Sequence, residues 1–437
     1  MTCGLHIGIF ENLSYGRVWK RHVPVKNNFW LDSTHPIRAM QNQQTGGCPE
    51  NPPREESITG RSPDMIRKDD ASLAVSKRAF GNTGVKISKL CLGGGSFGRP
   101  DSRTLLDDAL RCGVDCWEIV GFTGNVYGEY FKRNPGIREK VFLSGKIYAT
   151  DPIVMQEQLE KVLKENETSV IDFLAIHPVN DVKVLNEDVR KWVEKVKKKK
   201  KIRFFGFCTH KNMVACLRGA AELGWIDGIQ TFYNYRMQLV DGMEDALQQC
   251  HESGIGVFAV KSMGLSVQKK TELQKLPLNE KRLNSLLKGH DLSFEQAKMK
   301  AIWQNPHLTS ICSLMPSSDI LQSNASAAMD AHSFHPEIAK LLAEYANITG
   351  KYFCRRCGAC DSANGDKVPI FDIMEMLMYA RGYGNRQWAV QRFGQIPVEI
   401  RRKMENSDYT YAEKKCPQKM PIARLMKEAC MELRQIS

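Results

Sequence analysis

The chain reads as an α/β protein: a (β/α)8 barrel followed by a small, mainly helical module built around cysteines. Three observations predict this. Short apolar runs alternate with amphipathic stretches from residue 85 to about 330; the run of such pairs comes to eight; and a tight cysteine triplet stands alone near the C-terminus. Eight strand–helix pairs in roughly 250 residues is what a closed barrel needs. An open doubly wound sheet is the competing arrangement, but no G-x-G-x-x-G follows any of the runs.

The elements follow in order. Residues 1–75 show no sustained periodicity, and Pro, Asn, Gln, Gly and charge dominate 41–70, so this stretch is expected to be a disordered leader. Strands are expected at 87–92, closed by Gly93-Gly94-Gly95, then at 114–120, 141–146, 170–177, 202–208, 228–232, 256–261 and 308–314. Asp151-Pro152 supplies an N-cap and a first-turn proline, with Met155, Leu159, Val162 and Leu163 at helical spacing behind it. Ser293 and Gln296 form a capping-box pattern. A polar insertion over 263–292 follows the seventh strand, where a barrel loop overhangs the face that carries chemistry, as a lid or as an elaborated loop. The barrel is thus expected over 76–345 and the helical module over 346–437.

Composition bounds function. At 437 residues, 42% hydrophobic and 25% charged, the chain has enough apolar content for a barrel core and an appendage. The net charge of +13 raises nucleic acid as a partner. However, the basic run at 197–201 sits at a helix end, where cations are favoured, and no nucleic-acid motif accompanies it, so none is expected. No apolar stretch reaches the ~18 residues a membrane span needs, and no secretory signal is visible. Of 14 cysteines, many lie inside apolar runs, such as Cys91 and Cys208, which fits reduced thiols and a cytoplasmic setting.

The sharpest local signal is "CRRCGAC", with Cys354, Cys357 and Cys360, followed far downstream by Cys416-Pro417. A C-x2-C-x2-C run with a separate Cys-Pro is a ligand pattern for one [4Fe–4S] cluster: three thiolates on one loop reach three corners of a cube and the fourth closes it. Structural zinc, the alternative, more often pairs two short cysteine arms. Arg355 and Arg356 add positive charge beside the triplet, which favours a reduced cluster. Helical spacing at Phe371, Met374 and Leu377, and again at Ile422, Leu425, Met426 and Ala429, predicts helices packed beside it, with Met374, Met376 and Met378 as core filling.

The segments "FGNTGVKISKLCLGGGSFG", "KKIRFFGFCTHKN", "LGWIDGIQTFYNY" and "IGVFAVKSMG" resemble the first, fifth, sixth and seventh barrel strands of the aldo-keto reductases. The likeness covers about 77–330, and the C-terminus resembles a bacterial subgroup with an iron–sulfur tail. The resemblance implies an NAD(P)-linked oxidoreductase that reduces a small carbonyl compound with hydride from NADPH, using Asp, Tyr, Lys and His at the strand ends; a redox partner is also implied if the cluster carries electrons. Lys146 in "FLSGK" matches the family lysine and His177 in "IDFLAIHPV" the histidine. In "CWEIVGFTGNVYGEY", Glu118 takes the aspartate position and Thr123 falls where tyrosine should be; Tyr127 is the candidate substitute acid. For the cofactor, Gln230 matches the residue that contacts the nicotinamide amide, Tyr233 a nearby aromatic position, and Asn324 a position near adenine and phosphate. Ser317, with Ser318, either binds phosphate at a helix N-terminus or only caps that helix. The alternative reading is a barrel without its tyrosine that serves as a ligand- or partner-binding protein with a structural metal site.

Overall fold

The computed structural model describes residues 74–94, 102–120, 125–263, 278–330, 332, 334–350, 353–361, 368–381 and 386–434, all within one compact unit, Pro36–Ser437. Most of the expected leader lies outside the described residues. Its last residue is ordered: Val75 is buried and its N–H bonds the Cys112 carbonyl at 2.9 Å, so the packed chain begins before residue 76.

Two short strands come first, β1 (Lys77–Ala79) and β2 (Lys86–Ser88), paired antiparallel. Then follow β3 (Leu90–Leu92), β4 (Cys116–Glu118), β5 (Phe142–Ile147), β6 (Ile171–Ile176), β7 (Ile202–Thr209), β8 (Gly228–Phe232), β9 (Gly256–Val260) and β10 (Ser310–Ser313). These eight form a closed barrel in the order β10-β3-β4-β5-β6-β7-β8-β9, every pair parallel. The expected strand at 87–92 is thus two: its first half belongs to the hairpin, where the Ser88 N–H is held by the Asp115 carboxylate at 2.8 Å, and only Leu90–Leu92 enters the barrel.

The hairpin stoppers the N-terminal end of the barrel. Phe80, in its bend, is fully buried and meets the rings of Phe142, Phe173, Phe204 and Phe258 at 5.2 to 5.7 Å. Gly228 and Gly256 make room: a Cβ there would stand 2.4 and 2.2 Å from the Phe80 ring. Above this aromatic floor lie Cys91, Cys116 and Cys312, free thiols in register on three adjacent strands. Each is pushed upward in pKa: Cys91 and Cys116 chiefly by burial, and Cys312 first by its contact with Cys91 and then by burial. They are inert, reduced interior residues.

The caps expected from sequence are present. The Asp151 side chain accepts from the N–H groups of Ile153 and Val154, and Ser293 and Gln296 form a reciprocal box. Within the insertion at 263–292, Leu278–Gly289 is a helix whose Leu283 and Leu287 pack against Ile338, Leu341 and Leu342 of the helix Pro336–Thr349. That part is fixed in a side cluster; residues 264–277 lie outside the described residues.

Beyond residue 350 a second core forms from the helices Ile370–Arg381, Arg386–Gly394, Val398–Asn406, Thr410–Lys415 and Ile422–Glu432. Met374, Met376 and Met378 are buried in it. Among the described residues, no helix is long and apolar enough to cross a membrane.

Candidate active site

At the C-terminal mouth of the barrel, Glu118 at the end of β4 and Lys146 in β5 form an ion pair of 2.7 Å, both nearly excluded from solvent. Two charges taken out of water repay the loss only if their remaining hydrogen-bonding capacity is filled. Here the Gly94 N–H donates to Glu118 Oε2 at 3.2 Å, and Gln230 Nε2 donates to Glu118 Oε1 and to Ser144 Oγ, each at 3.1 Å. Burial pushes the Glu118 carboxyl up, but Lys146 and the Gly94 N–H outweigh it and hold it below its ordinary range. Burial likewise pulls the Lys146 ammonium down, and the Glu118 charge more than reverses this. The methylene added by Glu in place of Asp therefore does not break the pair with the lysine.

His177 follows β6, half-buried, with the ring of Tyr148 on one side at 5.8 Å and that of His210 on another at 5.1 Å. Burial, then the charges of Lys146, Lys261 and Arg356, hold its pKa well below the ordinary value, so the imidazole is neutral at pH 7. Its Nδ1 is buried and has no hydrogen-bond partner among the described residues. Cys208, fully buried in β7, lies with its Sγ 3.4 Å from His210 Nε2. Burial pushes the Cys208 thiol up to about 12, against the opposing charge of Lys146.

The C-terminal module closes over the β7–β9 side of this mouth. Arg356 is the wedge. Its side chain is buried, its Nε donates to the His210 carbonyl at 2.6 Å, its Nη1 pairs with Glu375 at 2.5 Å, and its guanidinium lies 5.0 Å from the Phe232 ring and 5.2 Å from that of Phe371. It holds this position with a left-handed backbone, φ 60°. Around it, Lys261 Nζ donates to Tyr379 Oη at 2.8 Å, Lys211 pairs with Asp361, and Arg355 Nη1 donates to the Leu239 carbonyl at 2.5 Å. The cavity left between barrel and module, lined by Phe232, Arg236, Phe353 and Cys354 among others, is only about 20 Å3.

Not every residue singled out from sequence reaches the mouth. Tyr127 is fully buried behind β4, stacked on Trp117 at 5.5 Å, and its hydroxyl donates to the backbone carbonyl of Glu118 at 3.1 Å. Burial raises its pKa well above the ordinary value. Tyr127 therefore braces the strand end and is not aimed at Lys146. Thr123 lies outside the described residues. Tyr233 continues β8 on the outward parity, opposite to Gln230, and its hydroxyl donates to Glu244 at 2.9 Å in the helix layer, so it offers no ring to the mouth. Asn324 is buried and donates to Ser313 Oγ at 3.2 Å, tying the helix Ser318–Met329 to the end of β10. The Ser317 side chain caps that helix, accepting from the Ile320 N–H at 3.4 Å. Sequence reasoning gave no place at the mouth to Cys208, His210, Lys261 or Arg356. A signal existed for the first two: the C-x-H in "CTHKN" at a strand end puts both side chains on one face.

Cys354, Cys357, Cys360 and Cys416 are all free thiols. Burial pushes the Cys354 thiol up to about 12, with Cys357 and Cys416 adding to the effect; burial does the same to Cys360, with Asp361, Cys354 and Cys357 adding. Cys354 is thus within electrostatic reach of Cys357 and Cys416, and Cys360 of Cys354 and Cys357. Backbone N–H groups already point at two of the sulfurs, Arg356 N at Cys354 Sγ (3.4 Å) and Met420 N at Cys416 Sγ (3.5 Å).

Comparison with known proteins places this geometry. The family model described as "Aldo/keto reductase family" matches residues 89–334. An uncharacterized oxidoreductase of Bacillus subtilis (strain 168), YrpG, is 28% identical over 128 residues, covering 23% of this chain; the match spans 39% of that relative's length. Two solved structures from Pseudomonas aeruginosa, both assigned to the aldo-keto reductases, are 18% identical, with TM-scores of 0.47 and 0.46. They cover 61% and 64% of this chain and 98% and 99% of their own. With the family model matching more than half of its length, the chain belongs to the aldo/keto reductase family.

Proposed function

We propose that the chain is an NAD(P)-linked oxidoreductase acting on a small carbonyl compound, with one [4Fe–4S] cluster held by Cys354, Cys357, Cys360 and Cys416. The observation that carries the first half is the buried Glu118–Lys146 pair beside a neutral His177 at the barrel mouth. A bound nicotinamide supplies hydride to the carbonyl carbon. Lys146 then provides fixed positive charge where an alkoxide develops, Glu118 keeps that ammonium in place, and His177 donates a hydrogen bond that orients the carbonyl oxygen. Gln230 fits the carboxamide of such a cofactor, since its Oε1 is a buried acceptor with no partner among the described residues. Tyr127 is not placed to donate the final proton; proton delivery falls to His177, to Tyr148, whose ring stands 5.8 Å from that of His177, or to water.

The four cysteines fit an iron–sulfur cube better than zinc. With bonds of about 2.3 Å, tetrahedral zinc would bring its sulfurs to about 3.8 Å from one another. Among the described residues, no three of these sulfurs lie within 4.8 Å of each other. Backbone N–H donation to ligand sulfurs is a lever that tunes such clusters. A cluster there supplies one-electron transfer, and the Arg356 backbone and side chain link Cys354 to His210 and so to the mouth.

The test is anaerobic purification with iron and sulfide assay, followed by hydride transfer from C4-deuterated NADPH. About four irons per chain are expected, lost in Cys416→Ala, with deuterium transfer slowed on the order of 10²–10⁴-fold by Lys146→Met. Absence of iron together with zinc that disappears in Cys416→Ala would replace the cluster by a structural zinc. Failure to bind NADPH at all would leave the barrel as a binding protein.

A further inference from the structure

The structure assigns a second metal site to this chain, at the barrel mouth: a zinc-class divalent ion held by His177, Cys208 and His210, with one coordination position left open. The strands bring these residues together. Ile176 of β6 pairs with Phe207 of β7, so the next residues, His177 and Cys208, stand side by side at the strand ends. His210, two residues beyond Cys208, returns to the same face. One donor atom from each residue lies within 4.8 Å of the other two, and among the described residues this is the set of His, Cys, Asp and Glu side chains that meets that condition.

The geometry is close to that of a bound ion. Bonds of about 2.0–2.1 Å to imidazole nitrogen and 2.3 Å to thiolate, at a tetrahedral angle, put nitrogen and sulfur about 3.5 Å apart. Cys208 Sγ and His210 Nε2 are 3.4 Å apart. The buried Nδ1 of His177 has no partner among the described residues, and leaving such a group unsatisfied is unfavourable. Two imidazoles and one thiolate are borderline-soft donors, suited to zinc or cobalt and not to magnesium or calcium. Three protein ligands with a fourth position open is the pattern of a reactive zinc, whereas structural sites are closed.

Positive charge nearby works against a cation, so the neighbours matter. Lys146 is neutralised by Glu118 at 2.7 Å and Arg356 by Glu375 at 2.5 Å. Lys261 is engaged by Tyr379 Oη. The thiol proton of Cys208 leaves on ligation, which brings one negative charge to the ion itself. The open position faces the mouth and takes an oxygen, from water or from a carbonyl or hydroxyl compound, and it would polarise that oxygen where a family tyrosine is missing. The site stands on its own geometry whether or not the nicotinamide reading holds.

The test uses full-length protein, stripped with chelator, dialysed against zinc or cobalt alone and assayed for bound metal. Wild type is expected to keep about one zinc per chain that Cys208→Ala and His210→Asn lose, while Cys354→Ala/Cys416→Ala keeps it. The cobalt form is expected to show a thiolate charge-transfer band absent from Cys208→Ala. Circular dichroism melts establish that each variant folds; if Cys208→Ala does not, His210→Asn decides. Equal mouth-zinc content in wild type, Cys208→Ala and His210→Asn would overturn the site. Loss of all zinc in Cys354→Ala/Cys416→Ala would overturn it too, by moving the metal to the cysteine module.

Discussion

The two ends of the barrel are built on opposite principles. The N-terminal end is closed by one ring, Phe80, set among four others and over two glycines, and held by packing. The C-terminal end gathers Glu118, Lys146, His177, Cys208, His210 and, from the module, Arg356. The difference teaches where chemistry can reside. A floor that satisfies itself by packing has nothing left to offer a ligand, while the mouth keeps an unpartnered imidazole nitrogen, an unpartnered amide oxygen and offset charges that a ligand can use.

The comparison can be broken most forcefully at the floor. Phe80→Ala removes the stopper from a site that cannot collapse, because rigid strands surround it, and about 3–5 kcal/mol of stability is expected to disappear. Urea unfolding would register this as a lower midpoint, equally at pH 7 and pH 4. An effect that varies with pH would mean the floor is electrically coupled to the mouth.

At the mouth, Glu118→Gln strands the Lys146 ammonium, and the expected loss is about 3 kcal/mol at pH 7. Here pH matters, and its sign follows from the shifts. The Glu118 carboxyl is held below its ordinary value in the fold, so its stabilisation is complete above about pH 4.5 and fades as pH falls through the folded value. Lys146, held above its ordinary value, contributes fully below about pH 10.5. The gap between wild type and Glu118→Gln is therefore expected to narrow on acidification, as seen by urea titrations at pH 7 and pH 3.5. A constant gap would show that the carboxylate contributes by shape alone.

The smallest expected effect sharpens the boundary between the regions. Tyr127→Phe removes one hydrogen bond to a backbone carbonyl, worth about 1 kcal/mol. It should leave deuteride transfer from labelled NADPH unchanged. A large fall in transfer would return Tyr127 to the chemistry.

Much of this arrangement was legible in the sequence because it is local. Strands buried on both faces write themselves as unbroken apolar runs, as in 170–177 and 202–208, and Asp151-Pro152 marks its helix start with two residues. Lys146 and His177 were reached only through the resemblance to the aldo-keto reductases, since a lone strand-end Lys or His says little by itself. The hairpin was not, since "VKISKLCLG" reads as one run, and the groups that hold Ser88 out of the barrel, among them the Asp115 carboxylate and Ser310 Oγ, lie far along the chain. Tyr127 and Tyr233 were misplaced because spacing alone does not say which side of a strand end a ring takes. Arg356 was read as charge beside a cluster; its engagement with His210 spans 146 residues and has no sequence signature.

That last contact has a consequence for how the protein is made. Synthesis runs from the N-terminus, and β10, the last barrel strand, ends at Ser313, whereas the final helix of the module ends at Glu432. At about 5–20 residues per second, those roughly 120 residues take some 6–24 s to appear. A barrel that closes on the ribosome within that interval would have its floor stoppered while the helices that seat Arg356, the last ending at Glu432, are still incomplete. Whatever the mouth is to hold has its widest access then, and Arg356 arrives afterwards as the latch.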